Sequence, residues 1–247
     1  MSWITPIVWT AKAIRYKVTR ADMQTISDSL TALGDTDGKS LTAPGWVDSP
    51  NPWVYVDSTH FKIVGVDVTK RYTVGTPLSC TDATVTKYGY AGVATYVAGD
   101  TIVPFIGGSG YTLSGGAITN PRFSYMATPY GFPGTFVYTA TTGGWSGTPS
   151  QMCHFTLAGH TCTVWIKGVN GTSTAGDTAV TVPFPHAAAS EVLNAALVMD
   201  NGAAGAWGRG LLGASLDYIV FTKDAAGTAF TASGVKAIYD FFITYPI

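Results

Sequence analysis

The feature that most limits this chain is its punctuation. Short runs of β-branched and aromatic residues recur along it, and Gly, Asn, Asp or Pro breaks them at close intervals. Residues 151–157 and 161–167 show the pattern best, flanking Ala158-Gly159-His160. Alternation of period two sends successive side chains to opposite faces of a strand, and a loop glycine between two such runs marks a hairpin. By that period Cys153 shares a face with Phe155 and Leu157, and Cys162 shares one with Val164 and Ile166. Further strands are expected at 53–56, 61–64, 84–90, 101–106, 179–182, 195–199, 216–221 and 237–244. Asn170-Gly171 and Asn201-Gly202 carry tight-turn chemistry. Residues 67–72 predict one helical turn. Strands do not alternate with helices, so the pattern predicts an all-β chain built from antiparallel sheets and ending in a sandwich.

The first fifty residues differ. Thr19 and Asp22 stand at capping-box spacing, and Met23, Ile26, Leu30 and Leu33 then follow at helical spacing before Gly34. That apolar stripe fits either a helix packed on its own domain or a short oligomer seam, and Leu at a with Ile at d leans toward trimers or tetramers. Residues 34–52 are turn-rich and read as an extended arm. The organisation expected is therefore an N-terminal docking arm and helix (1–50), a small β domain (51–120) and a C-terminal antiparallel, jelly-roll-like β-sandwich (121–247).

Composition narrows the function. Of 247 residues only 12% are charged, the net charge is −1, and the space is taken by 29 Gly and 35 Thr. About 25% charged is ordinary. A neutral chain without a Lys/Arg run has no footprint for nucleic acid. With 46% apolar residues it is no disordered chain, and it lacks the Ala/Glu/Lys/Leu/Arg bias of a long coiled coil. Neutral surfaces associate, because little self-repulsion holds copies apart. The first residues lack the basic region of a signal peptide, and no apolar run reaches the about 18 residues of a membrane span.

Candidate chemistry is sparse. Cys153, His154, His160 and Cys162 are zinc-type ligands, but neighbours on a strand point to opposite faces, so both cysteines read as core residues. Neither Gly144-Trp145-Ser146-Gly147-Thr148 nor Gly171-Thr172-Ser173-Thr174-Ala175 completes a nucleophile elbow. The acids are scattered, and Asp35, Asp37, Asp100 and Asp200 fit turns in which Asp bonds its own backbone. The Gly107-Gly108-Ser109-Gly110 and Ser114-Gly115-Gly116 stretches lack a phosphate-loop Lys and read as flexible loops. Catalytic, metal and cofactor residues are accordingly expected to be none. Tyr88, Tyr90, Tyr125, Tyr130, Phe132 and Trp145 sit among Gly, Thr and Pro, where aromatics either fill a core or anchor a sugar or protein contact.

Three stretches carry a resemblance. Residues 18–30 are similar to an N-terminal helix of tailed-bacteriophage virion proteins. Residues 61–75 with Lys87-Tyr88-Gly89-Tyr90 resemble a small β module of phage tail-tip and tail-fibre proteins. Phe132-Pro133-Gly134, residues 166–173, Val182-Pro183-Phe184-Pro185, Thr231-Ala232-Ser233-Gly234 and Tyr245-Pro246-Ile247 resemble a phage β-sandwich. The resemblance implies a non-enzymatic virion structural protein, a homotrimeric tail or fibre component whose partners are other virion proteins and a host surface glycan or protein. A capsid decoration or head-fibre protein is the close alternative. A tail-associated glycan depolymerase and a free-standing carbohydrate-binding module are the alternatives from other classes.

Overall fold

Every regular element among the described residues is a β-strand, and every strand pairing is antiparallel. A computed structural model describes residues 45–144, 151–172, 178–181, 190–214 and 216–247, all within one unit spanning 43–247. The helix and seam expected at Met23, Ile26, Leu30 and Leu33 lie outside the described residues.

The first sheet takes β1 (Val47–Asp48), β2 (Val54–Asp57), β3 (His60–Ile63), β4 (Pro77–Asp82), β5 (Val85–Ala91), β6 (Thr95–Val97), β7 (Asp100–Ile106) and β8 (Ile118–Phe123). Its order is β1-β8-β4-β5-β7-β3-β2, with β6 also on β7. Its core is aromatic. Trp53 stacks on Phe61 at 3.9 Å between centroids, and the Trp53 indole N–H donates to the Tyr72 hydroxyl at 3.0 Å. A buried indole needs such a partner. In place of the expected helical turn the chain makes a hydrogen-bonded turn: Arg71 N–H reaches the Val68 carbonyl at 2.9 Å, and Asp67 accepts from both the Thr69 amide and hydroxyl.

The remaining strands form two sheets. One contains β9 (Phe136–Ala140), β11 (Gln151–Ala158), β12 (Thr161–Ile166) and β19 (Phe241–Pro246), in the order β19-β12-β11-β9. The other contains β10 (Thr142–Gly143), β13 (Val169–Thr172), β14 (Thr178–Thr181), β15 (Val192–Met199), β16 (Ala206–Leu212), β17 (Tyr218–Thr222) and β18 (Val235–Ile238), in the order β10-β14-β17-β16-β15-β18-β13. Phe136, Phe155, Val164 and Ile243 of the first meet Val198, Leu212, Ile219 and Phe221 of the second in one buried cluster. Two sheets sharing one dry core make a sandwich.

The local expectations are met in part. The 151–167 hairpin forms, with Cys153 opposite Ile166 and Leu157 opposite Cys162. Asn201 and Gly202 turn with φ of 53° and 74°. Asn170-Gly171 does not turn: it lies inside β13, paired with β18. Residues 237–244 are not one strand, because the chain leaves β18 in one sheet and enters β19 in the other.

Residues 107–109 are not a free loop. Ser109 N–H donates to the Val137 carbonyl on β9 at 2.6 Å, and a methyl on Gly108 would overlap that carbonyl. A methyl on Gly75, at φ +83°, would likewise overlap the carbonyl of Gly159 in the 151–167 hairpin. Only glycine allows both the close approach and the left-handed backbone there. Tyr90 and Tyr111 then pack on Phe136 at 5.3 and 5.6 Å, with Phe132 at 5.4 Å from the same ring. This cluster ties the first sheet to the sandwich.

Candidate functional site

Period two on the four-stranded sheet leaves one face for solvent. Cys153, Phe155, Leu157, Cys162, Val164, Ile166, Ile243 and Tyr245 are buried on the other. The outer face therefore presents Val137 and Thr139 from β9, Met152, His154, Thr156 and Ala158 from β11, Thr161, Thr163 and Trp165 from β12, and Phe242, Thr244 and Pro246 from β19. None of these is Asp, Glu, Lys or Arg. An ordinary soluble surface is about 25–35% charged, so a whole sheet face without charge marks a contact surface.

The apolar residues on it are aligned by register. Val137 lies opposite His154, His154 opposite Trp165, and Trp165 opposite Phe242, one row across four strands. Directly opposed side chains stand about 4.5–5.5 Å apart at Cβ. The His154 and Trp165 rings are 5.9 Å apart. Trp165 is 49% exposed, Phe242 64% and Met152 60%. Beside the row, the Thr163 and Thr244 hydroxyls bond each other at 2.9 Å. Trp165, Phe242, Thr163, Phe241 and Asp240 line an open depression of about 370 Å³. Asp240 is fixed there because its Oδ1 accepts the Gly168 N–H at 2.8 Å. The free edge of β19 is covered by Asn194, whose Nδ2 donates to the Phe242 carbonyl at 2.9 Å.

The structure divides the aromatics singled out from sequence. Tyr90 is buried, and Tyr88 and Phe132 pack beside it, so these three belong to the core. Tyr125 and Tyr130 are exposed at 79% and 74% on the loop that Trp46 holds by donating to the Tyr130 carbonyl. Trp145 lies outside the described residues. Trp165 and Phe242 are the functional candidates that sequence reasoning missed. For Trp165 the signal was available, since a strand with Cys162, Val164 and Ile166 inward must turn Trp165 outward.

The carboxylates also sort differently. Asp35 and Asp37 lie outside the described residues. Asp100 and Asp200 do not bond their own turns: Asp100 takes the Lys62 ammonium at 2.9 Å and the Gly65 amide at 3.1 Å, and Asp200 takes the Thr231 hydroxyl at 2.8 Å. Asp57, Asp67 and Asp224 do the turn work instead, and their hydrogen bonds to Thr59 and His60, to Thr69 and to Thr228 hold their carboxyls below the usual range.

Among the described residues no three His, Cys, Asp or Glu side chains gather as a metal site. Cys80, Cys153 and Cys162 are buried and free. Burial pushes their thiols up, to about 12, about 11 and about 12 respectively. Buried Tyr138 and Tyr245, beside Cys153 and Cys162, are pushed up as well. A thiol reagent at pH 8 is therefore expected to miss all three cysteines in the folded protein and to titrate them in guanidinium. Stability depends on pH for the same reason. The unfolded thiols ionise near pH 9 while the folded ones keep their protons, so stability is full below pH 9 and falls as pH rises toward 12. Thermal melts from about pH 7 to 11 check this, and a midpoint that climbs above pH 9 contradicts it.

No known protein family matches the sequence, and no curated protein is significantly similar to it. Comparison with solved structures finds a reovirus attachment protein, sigma1, solved in complex with α-2,3-sialyllactose, at 11% identity and a TM-score of 0.33, over 69% of this chain and 95% of that one. A likeness this distant bears on neither ligand nor assembly. What defines the class of this protein is its own geometry: among the described residues, antiparallel β-sheets with one outer sheet face whose strand residues include no Asp, Glu, Lys or Arg. Among the described residues no helix is long and apolar enough to cross a membrane.

Proposed function

We propose that this chain is a non-enzymatic structural protein of a tailed-bacteriophage virion, a tail or fibre component that assembles as a homotrimer and meets the host surface. The observation that carries this reading is the uncharged outer face of the four-stranded sheet, with Met152, Trp165 and Phe242 in solvent. The resemblance of residues 18–30, 61–75 and 166–173 to phage virion proteins supports it. In this reading residues 1–50 dock on the particle and hold the trimer along Met23, Ile26, Leu30 and Leu33. The first sheet, β1 to β8, forms the connecting β domain, and the sandwich strands from β9 onward carry the contact face outward. Several copies on one particle turn weak contacts into firm attachment. Light scattering of the purified chain is expected to return three times the 25.9 kDa protomer mass. Leu30→Asp is expected to return one. A wild-type chain that stays monomeric at every concentration would sink the trimer.

A further inference from the structure

We propose that the depression between Trp165 and Phe242 is a subsite for one neutral pyranose ring, an inference that rests on the outer sheet face being a contact surface. A pyranose has two chemically distinct sides: a rim of hydroxyls and a face of C–H bonds. The C–H face suits an aromatic ring, whose π-cloud is negative. Trp165 and Phe242 supply two such rings from directly opposed positions on neighbouring strands, both reaching solvent. The depression, at about 370 Å³, is open and walled almost entirely by apolar surface, with Thr163 and Asp240 among its lining residues.

Those polar groups match a hydroxyl rim. Asp240 spends Oδ1 on the Gly168 amide, which leaves Oδ2 to accept from a sugar hydroxyl. The Thr163 hydroxyl, already paired with Thr244, keeps acceptor capacity toward a second one. Charge complementarity then selects the sugar class. The strand residues of the face include no Lys or Arg, Lys167 standing just past the end of β12, and the Asp240 carboxylate at the rim disfavours an anionic sugar. A neutral hexose gives up no ionic hydration to bind there. A protein partner is the less suited occupant, because the aromatics flank a concavity that holds a carboxylate, and burying that carboxylate unpaired is unfavourable.

The test is saturation-transfer NMR on the full chain with methyl glucoside, methyl galactoside and methyl N-acetylglucosaminide, with methyl glucuronide as the anionic counterpart. At least one neutral glycoside is expected to receive transfer on its ring C–H protons, with millimolar affinity at one site. Trp165→Ala is expected to weaken it by more than about tenfold and Phe242→Ala by about three- to tenfold, while Trp165→Phe keeps most of it. Asp240→Asn is expected to narrow the preference for the neutral sugar over the glucuronide. Since Trp165 and Phe242 stand in solvent, protection of the three buried thiols reports that each variant is folded. The subsite is overturned if no neutral glycoside binds at about 20 mM, if Trp165→Ala binds as the wild type does, or if the glucuronide binds best. A trimer that binds no sugar overturns the subsite alone. A monomer that binds the glycosides overturns the trimer and leaves the subsite standing.

Discussion

Phe136→Ala is expected to destabilise the folded unit by about 3–5 kcal/mol, the usual loss for emptying a buried phenylalanine site. For a unit of this size that lowers the melting midpoint by roughly 6–20 °C. Phe136 is 1% exposed and contacts Tyr90 and Tyr111 from one side of the junction and Phe132 and Phe155 from the other, the last stacked at 5.4 Å. Its loss therefore removes packing within the sandwich and the link between sandwich and first sheet. The cysteines separate these effects. Cys80 reports the first sheet, and Cys153 and Cys162 report the sandwich. In the wild type all three thiols are expected to become reactive at one denaturant concentration. In Phe136→Ala the sandwich pair is expected to react first. A midpoint drop under about 3 °C, with all thiols still exposed together, would show that the junction lies elsewhere.

Gly75→Ala is expected to cost about 2–4 kcal/mol, from two sources. The added methyl overlaps the Gly159 carbonyl, and a φ of +83° strains any residue with a Cβ. Gly65→Ala isolates the second source: its φ is +77° and nothing lies within 4 Å of the new methyl. Gly65→Ala is expected to lose only about 1–2 kcal/mol, the backbone share. Urea midpoints at matched m-values measure the difference between the two. Equal losses would mean that the hairpin yields and that Gly75 is not a locking contact.

Both predictions rest on features that the sequence shows only in part. The 151–167 hairpin was legible because one face of each strand is apolar and a glycine stands between them. The β4 strand was not, since Ser79, Thr81 and Asp82 look like turn residues. It is nonetheless a central strand, and Asp82 at its end accepts the Ser114 amide. The β8 strand hid behind Asn120-Pro121, and Pro demotes a strand reading. It lies where the register with β4 shifts, and Asn120 takes a φ of +48°. In β16 the glycines that weaken a strand signal have a packing reason: a methyl at Gly208 would overlap the Thr222 carbonyl, and one at Gly210 would press on Phe241.

The candidate face was half legible. Period two turns Trp165 outward once its neighbours are placed inward. Phe242 was lost because residues 237–244 read as a single strand, and the break at Asp240 moves the chain from one sheet to the other. Burial of Tyr90 with Tyr88 and Phe132 packed beside it, against exposure of Tyr125 and Tyr130, is a tertiary outcome. These residues share the same Gly, Thr and Pro surroundings, and only the partner sheet distinguishes them.

The pairing of β12 with β19 also sets the order of assembly. Thr163 and Thr244, bonded to each other, lie 81 residues apart along the chain. The β11–β12 hairpin can form as soon as it is made, but until β19 arrives its edge is bare, and the inward side of the sheet lacks Ile243 and Tyr245. Ring closure over so long an interval is slow, and open strand edges recruit other chains while they wait. The same neutral, Thr-rich β structure is thus expected to make the half-built form prone to aggregation. Yield on expression should depend on how quickly residues 241–246 reach their place.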